Sequence, residues 1–269
     1  DRRSRYPLAI DASRMTNAGS APPQWSVPAT LPRLSAGEIH VFAFPLDVST
    51  ARLTELLELL SKDETDRAAR FRQIRDLRRY VVGRAQLRTI LGCYLQMDAR
   101  AIEFHYSPHG RPSVRDGSST NRLRFNLSRS HELGVVALQL DEDPGIDLEY
   151  VRPFPNALDI ARRFFAASEH EALCSLPADR LDANFFSHWT RKEAVLKSVG
   201  LGLSLPMDAF ALGLRPGEEG EQINVVGAQD TRWVILLPPP ERGYVAALAT
   251  RRRPSLLRTW AWGGSADSQ

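Results

Sequence analysis

Apolar and polar residues alternate through Glu38–Leu46, EIHVFAFPL, as they do along a strand. The period then lengthens. Leu53, Leu56, Leu57 and Leu60 recur at helical spacing behind Ser49 or Thr50, either of which can cap a helix. A second helix is predicted from near Ser61, with Asp63 and Glu64 at its positive end. A long helix over roughly Leu77–Gln96 would bury Val81, Leu87, Ile90, Leu91 and Leu95. Short strands follow at Ile102–Tyr106, around Ser113, at Leu123–Leu127 and at Leu133–Leu140. Gly110-Arg111-Pro112 and an Asp-Gly-Ser-Ser turn at 116–119 separate them.

The second half opens with a strand at Gly145–Tyr150. Helices are predicted near 156–166, 168–175 and 179–199, then strands near 208–215, 222–227, 231–237 and 243–250. Both halves mix helices with a mainly antiparallel sheet, so the fold class is α+β. Residues 1–37 are rich in Pro, Ser and Ala and lack sustained periodicity, which suits an extension. The expected division is an N-terminal extension (1–37), a first lobe (38–143), a second lobe (144–255) and a C-terminal tail (256–269).

With 269 residues, 43% of them hydrophobic and 25% charged, the chain has the composition of a globular protein with a sizeable core. It contains no apolar run of membrane-span length, and DRRSRYPLAIDASR at the start lacks the apolar stretch of a secretory signal. Cys93 and Cys174 are too few for a disulfide framework or a zinc site and read as buried apolar filler in a reducing, cytoplasmic compartment. Net charge is only +3, yet Arg67, Arg70, Arg72, Arg75, Arg78, Arg79, Arg84 and Arg88 crowd one stretch. That density suits an anionic ligand, an acidic partner or a solvated helix face.

Two segments carry candidate chemistry. In Gly145-Ile146-Asp147-Leu148-Glu149, strand alternation puts Asp147 and Glu149 on one face and turns Ile146 and Leu148 into a core. Neighbouring carboxylates repel unless a cation lies between them or one is protonated. Magnesium, a hard cation that binds substrate phosphates, suits such oxygens. A solvated edge strand suits the same pattern. The second segment, Trp189-Thr190-Arg191-Lys192-Glu193-Ala194-Val195-Leu196-Lys197, reads as a helix ended by Gly200. Trp189, Glu193 and Lys197 share a face at spacings of four. An acid and a lysine one turn apart can hold a metal and a phosphate together, or form a surface ion pair.

In this order and at this separation, the two segments resemble the paired signatures of the 4'-phosphopantetheinyl transferase superfamily, (V/I)G(V/I)D(V/I/L)E and (F/W)xxKE(A/S)xxK. Further matches are to the two-lobed type that activates peptide and polyketide synthetases. They are the basic Arg67–Arg88 stretch, Gly110-Arg111-Pro112, Asn126-Leu127-Ser128-Arg129-Ser130, Arg163-Phe164-Phe165, and the run from Gly200 to Pro206. The resemblance covers roughly residues 38–250. It departs at Arg129, where the family usually has His; Arg is permanently charged and can grip phosphate through two bonds.

The resemblance implies two similar α/β lobes related by a pseudo-twofold axis, with the active site between them. It implies transfer of the phosphopantetheine arm of coenzyme A to a serine of an apo acyl or peptidyl carrier protein, releasing adenosine 3',5'-bisphosphate. Arg67, Arg79, Arg111 and Arg129, with Pro112 and Ser128 adjoining, would hold the coenzyme A phosphates. Asp147, Glu149 and Glu193 would ligate magnesium, or manganese in its place. Lys197 would add a cation on the pyrophosphate, Glu193, directly or through water, or else a metal-bound water, would take the serine proton, and Lys192 would lie behind the ligating residues or face the ligand. A cytoplasmic monomer with no nucleic-acid or membrane partner is expected. Two rival readings share some of these residues: a metal-dependent nucleotide phosphohydrolase, and a non-enzymatic nucleic-acid-binding protein that uses the arginines.

Overall fold

The chain opens with β1 (Glu38–Pro45), α1 (Thr50–Leu57), α2 (Lys62–Ala68) and the long α3 (Ile74–Leu95). Strands β2 (Glu103–Tyr106), β3 (Pro112–Arg115), β4 (Leu123–Ser130) and β5 (Leu133–Leu140) complete the first half. The second half runs β6 (Gly145–Tyr150), α4 (Ala157–Phe164), α5 (Ala167–Cys174), the long α6 (Ala178–Val199), β7 (Glu221–Val225), β8 (Asp230–Leu237), β9 (Tyr244–Thr250) and β10 (Leu256–Ala261). This computed structural model describes residues 25–28, 30–115, 122–214, 220–225 and 230–263. The turn expected at 116–119 lies outside the described residues, as do 1–24 and 29 of the expected extension and 264–269 of the expected tail.

Two four-stranded sheets organise these elements, in the orders β10-β1-β5-β4 and β6-β9-β8-β7, with β2 and β3 as a separate pair. Among the described residues every strand pairing is antiparallel except β1 with β10. The fold is α+β, as the alternation predicts. Strand β1 is apolar on both faces because both are covered. Phe42 and Phe44 meet Val81, Leu87 and Leu91 of α3. Ile39, Val41 and Ala43 share a second cluster with Val135, Ala137, Ile146, Leu148, Ala246 and Leu248, so the two sheets bury a common core. On the far side of the second sheet, Ala247 and Ala249 pack with Ala194 and Val195 of α6. Each sheet therefore carries one long helix.

Several expectations differ from the structure. Residues 256–261, read as the start of a tail, form β10, and the following Trp262 donates from its backbone N–H to Ala43 O and from its indole to Gln86 Oε1. Over residues 208–214, the described part of the strand expected at 208–215, the chain is instead a short 3-10 turn at Met207–Ala209 followed by irregular chain. Buried side chains satisfy its backbone in place of a neighbouring strand. Lys192 Nζ donates to Met207 O and Phe210 O, Glu169 accepts from the Leu212 N–H, and Arg191 donates to Gly213 O. Cys93 and Cys174 are exposed, not filler. Trp25, in the expected extension, is buried in the core between the sheets.

Candidate active site

The site lies along the seam where β4 runs beside β6. These strands belong to different sheets, yet β4 satisfies the outward N–H groups of β6 with side chains. Asn126 Oδ1 accepts from Ile146 N at 2.8 Å, Ser128 Oγ from Leu148 N at 3.3 Å, and Ser130 Oγ from Tyr150 N at 3.1 Å. The two-residue period of a strand places all three oxygens on one side.

On β6, Asp147 and Glu149 point away from the shared core, as the alternation predicts, toward α6. Helix α6 approaches unusually closely, because Gly145 has no side chain: a Cβ there would lie 2.0 Å from Ala194 O and 2.3 Å from Ser198 N. The approach brings Lys197 onto Asp147, with Nζ 2.6 Å from Oδ1 and 3.1 Å from Ser128 Oγ. Ser128 in turn donates to the same Asp147 oxygen at 2.8 Å. One turn earlier on α6, half-buried Glu193 lies within reach of the charges of Asp147, Lys197 and Glu149.

Electrostatics mark the three acids as one unit. Burial, and next the charge of Asp147, push the Glu149 carboxyl above the usual range, against the Ser130 hydrogen bond and the charges of Arg152 and Lys197. Burial, Asp147 and Glu149 push Glu193 up likewise, against Lys197. Asp147 is only 4% exposed, and its Oδ2 has no hydrogen-bond partner among the described residues. An orphaned buried carboxylate oxygen beside two acids that resist ionisation is a donor set that a hard divalent cation would complete. Among the described residues no three His, Cys, Asp or Glu stand as a preformed cluster, so ligation would draw these side chains together.

The arginines divide. Arg67 and Arg129 each lie 5.6 Å from the centre of the Tyr80 ring, and Arg129 Nη1 donates to Arg79 O at 3.4 Å. The Arg129 stem crosses α3 at Gly83, where a Cβ would lie 2.7 Å from its Cδ. Arg79 is held by Asp47 at 3.2 Å. These three expected phosphate-binding residues thus gather about one stretch of α3. Arg111 has its contacts elsewhere: its guanidinium donates at 2.7 Å to Lys197 O and at 2.7 Å to Pro144 O, clasping the end of α6 to the start of β6. Pro112 begins β3 opposite Tyr106.

Three residues do not sit as the sequence suggests. Lys192, expected near the ligand, is fully buried and paired with Glu169 at 2.8 Å. Arg84 and Arg88 are no solvated face, since both close on buried Glu64, which also accepts from Ser61 N. Sequence reading also missed Asn126 and Ser130 as partners of β6. Their one signal is the Asn-x-Ser-x-Ser alternation itself.

Comparison with known proteins agrees with this geometry. The model of the 4'-phosphopantetheinyl transferase superfamily matches residues 143–261, and that of the 4'-phosphopantetheinyl transferase N-terminal region matches residues 47–141. The chain is 37% identical over 216 residues to the 4'-phosphopantetheinyl transferase HetI of Nostoc sp., covering 80% of this chain and 89% of that protein. It is 33% identical over 210 residues to the 4'-phosphopantetheinyl transferase psf-1 of Bacillus pumilus, covering 77% and 87%. The 4'-phosphopantetheinyl transferase ffp of Bacillus subtilis is 29% identical over 206 residues, covering 76% and 88%. With one family model on each lobe and a relative this similar over most of its length, the chain belongs to the 4'-phosphopantetheinyl transferase superfamily.

Proposed function

We propose that this protein transfers the 4'-phosphopantetheine of coenzyme A to a serine hydroxyl of an apo acyl or peptidyl carrier protein, in a magnesium-dependent reaction that releases adenosine 3',5'-bisphosphate. What supports the reading is the Lys197–Asp147 pair on the seam between the lobes, with Glu149 and Glu193 near enough for the charge of Asp147 to raise their proton affinity.

In this reading Arg67, Arg79 and Arg129 bind the coenzyme A phosphates, several cations being needed to hold so many negative charges. Arg111 serves the site indirectly, by fixing the end of α6. Asp147, Glu149 and Glu193 hold the divalent ion, which when bound neutralises charge on the pyrophosphate. Lys197 orients Asp147 and lends its positive charge to the same bridge. Glu193 accepts the proton of the carrier serine, a task for which a carboxylate of raised proton affinity is suited. The serine oxygen bonds to the β-phosphorus, and the bond from that phosphorus to the bridging oxygen breaks. The electron pair leaves with adenosine 3',5'-bisphosphate. One chain supplies both sides of the seam, so the proposed working form is a monomer, in the cytoplasm. No helix among the described residues is long and apolar enough to cross a membrane.

Incubation with coenzyme A and a panel of apo carrier proteins, with and without magnesium, tests the proposal by intact mass. A metal-dependent gain of one phosphopantetheine on the carrier is the expected result. Hydrolysis of coenzyme A with no gain on any carrier would favour the phosphohydrolase instead.

A further inference from the structure

The seam between β4 and β6 repeats a unit. Ser128 Oγ accepts the N–H of Leu148 and donates to Asp147 at 2.8 Å. Two residues on, Ser130 Oγ accepts the N–H of Tyr150 and donates to Glu149 Oε2 at 2.8 Å. In each case one hydroxyl takes the backbone N–H just after a carboxylate and gives its only proton to that carboxylate. A serine has one donor and two acceptor sites, so this service commits the proton. Asn126, one step earlier on the same side, caps the N–H of Ile146 at 2.8 Å but faces no acid, since residue 145 is glycine.

We infer that Ser130 is a positioning residue for the metal site, aiming the Glu149 carboxylate as Ser128 aims Asp147. The inference rests on the reading of Asp147, Glu149 and Glu193 as the divalent-ion ligands. Glu149 sits near the open end of the pair, with Arg152 about as far off as an ion pair allows, at 4.0 Å and half exposed. Among the described residues, the Ser130 hydroxyl thus makes the one short bond to its side chain. Hydrogen bonds to a ligating carboxylate fix its orientation, and their loss typically lowers metal affinity about 10- to 100-fold. The pairing also gives the Asn-x-Ser-x-Ser alternation a physical meaning. Its three members hold the lobes together, and two of them also point acids.

Direct metal binding tests this. Mn2+ is titrated into the full chain in the presence of coenzyme A, free Mn2+ is followed by electron paramagnetic resonance, and thermal midpoints are recorded. Ser130→Ala, Ser130→Thr and Asn126→Ala are compared with wild type. Ser130→Ala should weaken Mn2+ binding about ten-fold or more, with the same half-saturation shift for Mg2+ in transfer and little change in KM for coenzyme A. Ser130→Thr, which keeps the hydroxyl on a strand-compatible side chain, should restore it. Asn126→Ala should lower the thermal midpoint as much as Ser130→Ala while binding Mn2+ like wild type. Wild-type affinity in Ser130→Ala, or an equal loss in Asn126→Ala, would reduce Ser130 to a seam residue and overturn the inference with the metal reading intact. Wild-type protein that takes up no Mn2+ would overturn both.

Discussion

Gly145 on β6 and Ala194 on α6 touch backbone to backbone: a Cβ on Gly145 would lie 2.0 Å from the Ala194 carbonyl oxygen. The glycine that opens the first signature is therefore a contact for the second. Substitution there cannot be absorbed by a side-chain rotation, because the opposing atoms belong to the helix backbone. Gly145→Ala should push α6 off the sheet, destabilising the fold by about 3 kcal/mol. The midpoint of thermal unfolding should fall by roughly 6–12 °C, and transfer should fall further than stability requires, because Lys197 leaves Asp147. A calorimetric midpoint within a degree of wild type would contradict the contact.

Buried Glu64 is, among the described residues, the one carboxylate against two guanidinium groups, Arg84 and Arg88, the latter donating at 2.7 Å. Arg84 also lies 4.0 Å over the Phe104 ring, so the network ties α2 and α3 to the β2–β3 pair. Removing the acid would strand two buried cations. Glu64→Ala should cost about 3–5 kcal/mol, read by urea denaturation. Because Arg67 lies on the same short helix, the KM for coenzyme A should rise as well. A stability loss below about 1 kcal/mol would show that the arginines find other partners.

Much of the site was legible because its information is local. A two-residue period aligns Asp147 with Glu149, and a four-residue period aligns Glu193 with Lys197, without reference to the rest of the chain. The strand at β1, though buried on both faces, was legible for the same reason, as was the helix cap at Ser49 or Thr50, where the Ser49 side chain accepts from Arg52 N. What escaped was set by distant partners. Nothing in Leu256–Ala261 announces a parallel pairing with β1, more than two hundred residues earlier. Arg88 looks like surface until Glu64 is found beneath it. Lys192 looks like a ligand contact until the carbonyls of Met207 and Phe210 claim it.

The separation of Arg111 from Arg129 predicts two phenotypes. Arg129, over Tyr80 with Arg67, should act on coenzyme A. Arg129→Ala should raise the KM for coenzyme A with a smaller drop in kcat, and the penalty should shrink for coenzyme A lacking its 3'-phosphate. An equal penalty with both donors would show that Arg129 does not read that group. Arg111, bonded to Lys197 O and Pro144 O, should act on stability. Arg111→Ala removes the donor from two part-buried carbonyls and should cost about 1–3 kcal/mol in all, lowering kcat through Lys197 more than it raises KM.

Lys197 itself should be worth more than an exposed ion pair, since it is the cation held against Asp147. Lys197→Ala should reduce kcat about 10²- to 10³-fold, the usual loss when an electrostatic stabiliser of a reacting group is removed. Rapid-quench measurement of a single turnover separates this from product release. A chemical step slowed less than about ten-fold would place Lys197 outside the reaction.

The raised proton affinities of Glu149 and Glu193 fix how stability depends on pH. Both carboxyls hold protons more tightly in the folded chain than the ordinary glutamate value of 4.5, through burial first and the charge of Asp147 next. The folded state therefore binds more protons than the unfolded state over that window, and the metal-free protein loses stability as pH rises through it. A divalent ion takes the deprotonated, folded form, so its stabilising effect should grow in the same direction. The midpoint gained on adding magnesium should be larger at about pH 8 than at about pH 5. Glu193→Gln removes one of the repelling charges while keeping the shape. It should raise the midpoint of the metal-free protein at about pH 8, flatten its decline with pH, and abolish transfer. A glutamine variant no more stable than wild type, with the slope unchanged, would mean that Glu193 carries no strain and that the three acids are not one unit.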